Sequence, residues 1–144
     1  MIKAILFDLD GVIVDSLHYH YLAWDHMFRE IGGSVTEESI FLSEGMNSFE
    51  ILPLFLKKFN VELPIDKHKK FIEDKRNYFR QIVELKYYPN AFETIAKLRD
   101  RGYTTALVTA CARKNMEKSV DTEHQKLFDF IISGDDVTHS KPNP

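Results

Sequence analysis

A single cysteine, Cys111, stands among the 144 residues. It has no partner for an internal disulfide and no second thiol for a zinc site, so a reducing compartment is expected, the cytoplasm by default. No apolar segment approaches the roughly 20 residues of a membrane helix, and Asp8 interrupts the N-terminal apolar run before it reaches the length of a signal-peptide core. Neither export nor membrane anchoring is therefore expected. Blocks of like charge are missing as well: the net charge is −3 with acids and bases interspersed, which argues against a nucleic-acid surface or a charged interaction tail. Internal repeats and low-complexity tracts are also absent, and the length suits one domain, or one domain with an insert, able to bury a proper core.

What is present begins at once. The run from Ile2 through Ile5-Leu6-Phe7 reads as a buried strand of a parallel sheet that gives out at Asp8-Leu9-Asp10-Gly11, where glycine frees the backbone to turn. Parallel sheets bind ligands outside the carboxyl ends of their strands, the place where Asp8 and Asp10 fall. Two acids at i and i+2 of a strand face the same way and repel each other unless a cation relieves them, and a divalent metal is the simplest relief. The plainer alternative is that both aspartates cap a turn before a helix starting near Ser16.

From residue 16 to about 86 the pattern is helical throughout. Leu17, Tyr21, Trp24, Phe28 and Ile31 recur at steps of three and four until Gly32-Gly33. Thr36-Glu37-Glu38 and Asn47 or Ser48 look like fresh helix starts, the second carrying the stripe Ile51, Leu52, Phe55, Leu56 and Phe59. Pro64 breaks the pattern, and a long amphipathic run follows over 66–86. From Tyr87 the text alternates: a helix over 89–101 with Phe92, Ile95, Ala96 and Leu98, closed by Gly102; a strand over 104–109; a helix from near Ala112; a short strand over 130–133. Strand, large helical insert, then strand-helix-strand units predict an α/β fold: a Rossmann-like parallel sheet core of about three strands, over 1–15 and 87–144, with an inserted α-helical cap domain over 16–86.

The string Asp8-Leu9-Asp10-Gly11-Val12-Ile13-Val14-Asp15-Ser16 closely resembles the first motif of the haloacid dehalogenase-like hydrolases. Ala106-Leu107-Val108-Thr109-Ala110 resembles the second, and the phrase from Gly134-Asp135-Asp136-Val137 to Lys141-Pro142 resembles the third. Within that family the likeness of Tyr19-His20, Ala23-Trp24 and the loop Glu44-Gly45-Met46-Asn47-Ser48 is to the β-phosphoglucomutase and phosphoglycolate phosphatase subgroup. The resemblance implies Asp8 as nucleophile and Asp10 as acid–base, both contacting Mg²⁺. It implies Thr109 and Ala110 as the holders of a phosphoryl oxygen and Lys141 as the neutralising cation, on a loop stiffened by Pro142 and Pro144. His20, Trp24, Gly45 and Ser48 would face a small phosphorylated metabolite from the cap. Read without the resemblance, each has a plainer role: a structural threonine on a buried strand, a solvated lysine, a histidine beside a core tryptophan. Asp135 and Asp136 precede the lysine and are assigned to turn and capping work.

The implied activity is Mg²⁺-dependent phosphoryl transfer or hydrolysis through an aspartyl-phosphate. Two alternatives stay open: isomerisation of a sugar phosphate, as in β-phosphoglucomutases, and a non-catalytic phosphate-binding or regulatory module. The mutase reading is weakened by the substrate loop, which lacks the arginine that β-phosphoglucomutases carry beside the serine-like position. The sequence ends just after the third motif, short of the acidic fourth, and an open sheet edge beside the first strand is expected. On that ground the 144 residues are expected to be poorly stable or partnered, and weakly active alone.

Overall fold

Residues 2–141 and 143 are described in a computed structural model. In chain order the elements are β1 (Ala4–Phe7), α1 (Leu17–Glu30), α2 (Glu37–Phe41), α3 (Ser48–Lys58), α4 (Ile65–Ile82), α5 (Ala91–Asp100), β2 (Thr104–Val108), α6 (Arg113–Ser119), α7 (Thr122–Gln125) and β3 (Phe130–Ile132). They fall into two compact units. One joins the residues up to Ser16 with those from Leu85 onward, and the other is Leu17–Glu84.

The first unit is α/β. Its strands form one parallel sheet in the order β1-β2-β3, with Leu6 opposite Ala106 and Ala106 opposite Phe130, and Phe7 opposite Leu107 and Leu107 opposite Ile131. Because side chains alternate along a strand, Phe7, Leu107 and Ile131 share a face. That face meets a core of Leu9, Ile13, Val14, Ile95, Met116, Val120 and Phe128. The other face holds Leu6 and Phe130, which are 65% and 62% exposed. Here the expectation of a buried first strand needs correction: β1 is half-buried. It pairs with β2 alone, and among the described residues no helix covers its second face, so the alternating exposure of Ala4–Phe7 follows from one-sided packing. The two chain segments bordering the helical insert run side by side within this unit, Asp15 N–H donating to Lys86 O (2.8 Å) and Tyr88 N–H to Ile13 O (3.0 Å).

The second unit is helical. Trp24 and Phe28, one turn apart on α1, lie at 2% and 0% exposure among Phe55, Leu52, Phe71 and Ile72. The rings of Phe28 and Phe55 meet edge to face at 6.2 Å and those of Phe28 and Phe71 at 5.9 Å, the arrangement aromatic quadrupoles favour. Thr36 caps α2 by accepting from Ser39 N–H, and Asn47 caps α3 by accepting from Phe49 and Glu50 N–H, satisfying donors that the first turn of a helix leaves open. The loop after α1 is tied down by buried Asp25, which accepts from Arg29 Nε (2.6 Å), Ser34 Oγ (2.8 Å) and Val35 N–H (3.2 Å). Burial pushes that carboxyl up, but the three hydrogen bonds and the Arg29 charge outweigh it and hold the group below its ordinary range.

Some details differ from the sequence reading, the strands over 104–109 and 130–133 each ending one residue earlier. Helix α4 ends at Ile82, with Val83 already extended, so the amphipathic run stops short of Lys86. Asn90 adopts a left-handed backbone at φ 62°, which starts α5 at Ala91 rather than at Pro89. The short α7 is an addition, begun by Asp121, which accepts from Glu123 and His124 N–H.

Candidate active site

The site assembles from the three loops that follow the three strands. After β1 the chain winds tightly around one carbonyl: Leu9 O accepts from Ile13 N–H (2.9 Å) and Val14 N–H (3.1 Å), and Gly11 N–H donates to Val14 O (2.9 Å). The turn needs Gly11 at φ 73°, a conformation that costs an L side chain and not glycine. Leu9 is thereby buried, and its neighbours Asp8 and Asp10 are held on either side of it. Asp10 is itself buried and accepts from the hydroxyl of fully buried Ser16. Asp8 accepts from Leu9 N–H through Oδ1 (2.8 Å).

After β2, Thr109 N–H donates to Ile132 O (2.9 Å) and the Thr109 hydroxyl accepts from Cys111 N–H (3.0 Å). A hydroxyl that accepts there keeps its proton available to donate. After β3 the chain returns to the same edge and brings Lys141 Nζ to 2.6 Å from Asp8 Oδ2 and 3.3 Å from Val108 O. A cavity of about 120 Å³ lies among the β2 and β3 loops, against Thr109, Ala110, Ile132, Val137, His139 and Lys141, and neither Asp8 nor Asp10 lines it.

The β2 and β3 loops are stitched together. Gly134 N–H donates to Cys111 O (2.8 Å), Arg113 N–H donates to Asp135 Oδ2 (2.9 Å), and the Arg113 guanidinium pairs with Asp136. Asp136 Oδ2 also accepts from Ser133 N–H and Ser133 Oγ, both at 2.7 Å. Those two bonds, then the arginine, hold the Asp136 carboxyl below its ordinary range against a smaller opposing effect of burial. The turn and capping work expected of Asp135 and Asp136 is carried by the bonds from Arg113 N–H and from Ser133; the pair with the Arg113 guanidinium is additional to it. Pro142 and Pro144, invoked to stiffen the lysine loop, lie outside the described residues.

The structure thus brings Asp8, Asp10, Thr109, Ala110 and Lys141 to one edge of the sheet. His20, Trp24, Gly45 and Ser48 belong to the helical unit. Trp24 is packed into its aromatic core, with ring centroids 5.6 Å from Phe55 and 6.2 Å from Phe28. Gly45 turns the chain after α2 at φ 85°, and Ser48 opens α3. His20 stacks on Phe79 at 4.1 Å and its Nδ1 accepts from Lys75 Nζ (2.9 Å). Lys75 is a residue the sequence reading passed over. It is 2% exposed, with its ammonium 5.2 Å from the Trp24 ring centre and 5.5 Å from that of Phe79, within cation–π range. The signal was available: Phe71, Lys75 and Phe79 step by four along α4, so the lysine sits in the apolar stripe.

Among the described residues no group of three or more His, Cys, Asp or Glu side chains is arranged to hold a metal ion. Asp8 and Asp10 supply hard oxygen donors, and Mg²⁺ commonly takes one or two carboxylates and completes its shell with substrate phosphate and water. In kind, the donors fit that ion. No helix of the described residues is long and apolar enough to cross a membrane.

The sequence profile of the haloacid dehalogenase-like hydrolase family matches residues 5–144. A phosphorylated carbohydrates phosphatase of Thermotoga maritima is 26% identical over 99% of this chain and 66% of its own length. The pyrophosphatase PpaX of Oceanobacillus iheyensis is 27% identical over 99% of this chain and 64% of its own. The chain therefore spans about two thirds of the length of these curated relatives. Among solved structures, a β-phosphoglucomutase of Clostridium difficile superposes with a TM-score of 0.85 over 100% of this chain and 67% of that one, at 24% identity, a likeness of fold.

Proposed function

We propose, from the premise that the chain belongs to the haloacid dehalogenase-like hydrolases, that its site serves phosphoryl transfer from a small phosphomonoester, such as a sugar phosphate, to water. Asp8 is the nucleophile. Its carboxylate attacks phosphorus in line, the P–O bond to the leaving alcohol breaks, and an aspartyl-phosphate forms, dividing one hard displacement into two easier ones. Asp10, oriented by Ser16, protonates the departing oxygen and then takes a proton from the attacking water. The second displacement releases inorganic phosphate and restores the Asp8 carboxylate. The Thr109 hydroxyl and Ala110 N–H donate to the phosphoryl oxygens, and Lys141 offsets the charge that accumulates there.

Mg²⁺ held by Asp8 and Asp10 would supply further charge neutralisation, without which a carboxylate and a phosphate dianion repel each other. Substrate choice is assigned to His20, Trp24, Gly45 and Ser48 in the helical unit. A cytoplasmic setting, where small phosphorylated metabolites circulate, belongs to the same proposal.

The observation that supports this most is the 2.6 Å pair between Lys141 and Asp8, residues 133 positions apart. A lysine drawn that far to one aspartate at a sheet edge is what a nucleophile facing a dianion needs. Hydrolysis stands ahead of isomerisation because the two relatives above carry phosphatase names and because the loop before Ser48 has no arginine. The test is a panel of phosphomonoesters with and without Mg²⁺, for the chain and for Asp8→Asn. Turnover that needs both the metal and Asp8 is expected; turnover that survives the loss of both would rule the mechanism out. Glucose 6-phosphate formed from β-glucose 1-phosphate and its bisphosphate would move the reading to a mutase.

A further inference from the structure

We infer that Asp136, with Gly134 beside it, is a positioning residue that fixes the spacing between the phosphate-holding turn after β2 and the lysine loop after β3. The inference rests on the reading of Thr109, Ala110 and Lys141 given above.

Two observations carry it. The first is how the Asp136 carboxylate is committed. One oxygen, Oδ2, accepts from Ser133 N–H and Ser133 Oγ at 2.7 Å each and pairs with the guanidinium of Arg113. Ser133 is the first residue beyond β3 and is fully buried. Arg113 is the first residue of α6, directly after the turn that holds Thr109 and Ala110. A single carboxylate oxygen therefore clamps the end of β3 to the start of α6. Capping its own turn would need only the Ser133 contacts; the Arg113 contact, from 23 residues away, ties the two loops together.

The second observation is the closeness of the loops beside that clamp. A Cβ added at Gly134 would lie 2.2 Å from Ala110 O and 2.9 Å from Ala110 C. The Ala110–Cys111 peptide, whose N–H donates to the Thr109 hydroxyl, thus rests on bare glycine backbone, and the 2.8 Å bond from Gly134 N–H to Cys111 O holds the turn there. Any side chain at 134 displaces the Ala110–Cys111 peptide, and with it Ala110 and the Thr109 hydroxyl to which that peptide is bonded. A displacement of about 1 Å at a phosphoryl-holding donor is enough to cost on the order of 10²-fold in rate.

Five variants of the full chain are compared: Gly134→Ala, Asp136→Ala, Asp136→Asn, Arg113→Met and, as a stability control remote from these loops, Asp121→Ala, which removes the cap of α7. Three quantities are read for each: the affinity for inorganic phosphate by ³¹P NMR titration, kcat and KM on p-nitrophenyl phosphate, and the melting temperature. Gly134→Ala is expected to lower kcat by about 10²-fold, and Asp136→Ala by about tenfold with weakened phosphate binding. Asp136→Asn, whose amide oxygen still accepts from Ser133, is expected to recover most of that loss. Asp121→Ala is expected to lower the melting temperature while leaving phosphate affinity and turnover unchanged.

Should Gly134→Ala fail to fold, the Asp136 and Arg113 variants decide. Asp136→Ala and Arg113→Met with wild-type phosphate affinity and kcat would overturn the inference, as would an equal loss in Asp121→Ala at a matched melting temperature. If the wild type shows no turnover dependent on Asp8, the functional reading fails, while the phosphate affinities still test the positioning role. A wild type that does not bind phosphate overturns both.

Discussion

The α/β unit and the helical unit treat their charged side chains in opposite ways. In the α/β unit, Asp8 with Lys141 and Asp136 with Arg113 meet beyond the strand ends, paired across long sequence separations and only partly covered: the Lys141 and Asp8 side chains are 35% and 27% exposed. In the helical unit the notable charges are interior. Asp25 closes a loop and Lys75 lies among Trp24, Phe79 and His20. Loops at strand ends can present polar groups to a ligand because the sheet beneath is rigid and does not depend on them. Helices packed on one another have to bury the same stripes that position any ligand-facing residue, so His20 and Trp24 answer first to packing. Substitutions should therefore separate the units: the α/β loops should lose turnover with little change in stability, and the helical core the reverse.

The largest effect on turnover beyond loss of Asp8 itself is expected at Lys141. Lys141→Met removes the cation beside the proposed nucleophile and should reduce turnover by about 10²- to 10³-fold, the scale seen when one transition-state donor is lost, with the melting temperature nearly unchanged because the pair is partly exposed. A matching fall in melting temperature would erase the contrast between the units. The largest effect on stability is expected for Phe28→Ala, which empties the centre of the helical core and should cost about 3–5 kcal/mol in urea unfolding. Smaller is Thr109→Val, which keeps shape but removes the hydroxyl. It should weaken phosphate binding and lower turnover by about tenfold, corresponding to roughly 1.4 kcal/mol from one hydrogen bond.

The smallest effect is acid sensitivity of the helical unit. The Asp25 carboxyl titrates below its ordinary value of 3.8, so its contribution is fully present above the unfolded-state pKa and is lost as pH falls through the lower folded-state value. Acid titration followed by circular dichroism should show an unfolding slope in that window that is shallower in Asp25→Asn. An unchanged slope would mean that the loop after α1 does not depend on this charge.

Much of the fold was legible because periodicity reports local structure. The steps of three and four through Trp24 and Phe28, the caps Thr36 and Asn47, and the apolar run of β2 predict a three-stranded parallel sheet with a helical insert, the fold class found. What periodicity could not report is what covers an element. Ile5, Leu6 and Phe7 are apolar on both faces, and a sequence written that way reads as buried whether one face or two are packed, hence the misjudged β1. The left-handed Asn90 and the short α7 turned on single residues, Asn90 and Asp121, whose turn chemistry is permissive rather than compelling.

The residues proposed for the site could be named from the sequence, but the way they come together could not. No spacing rule brings Lys141 to Asp8 across 133 positions; the resemblance in motifs supplied that expectation. Asp136 was read as a turn residue from its neighbours alone, and its bond to Arg113 depends on two loops meeting. Lys75 was hidden because a charge within an apolar stripe looks like an interruption of the pattern.

The central claim is a transient bond between Asp8 and phosphorus. It is tested most directly by acid-quenching the chain during turnover of a phosphomonoester with Mg²⁺ and sequencing the peptides by mass spectrometry. The account predicts one phosphoryl group on the peptide containing Asp8, absent in Asp8→Asn and released by hydroxylamine. Steady turnover with no phosphorylated peptide in the wild type, or the phosphoryl group on another residue, would contradict it.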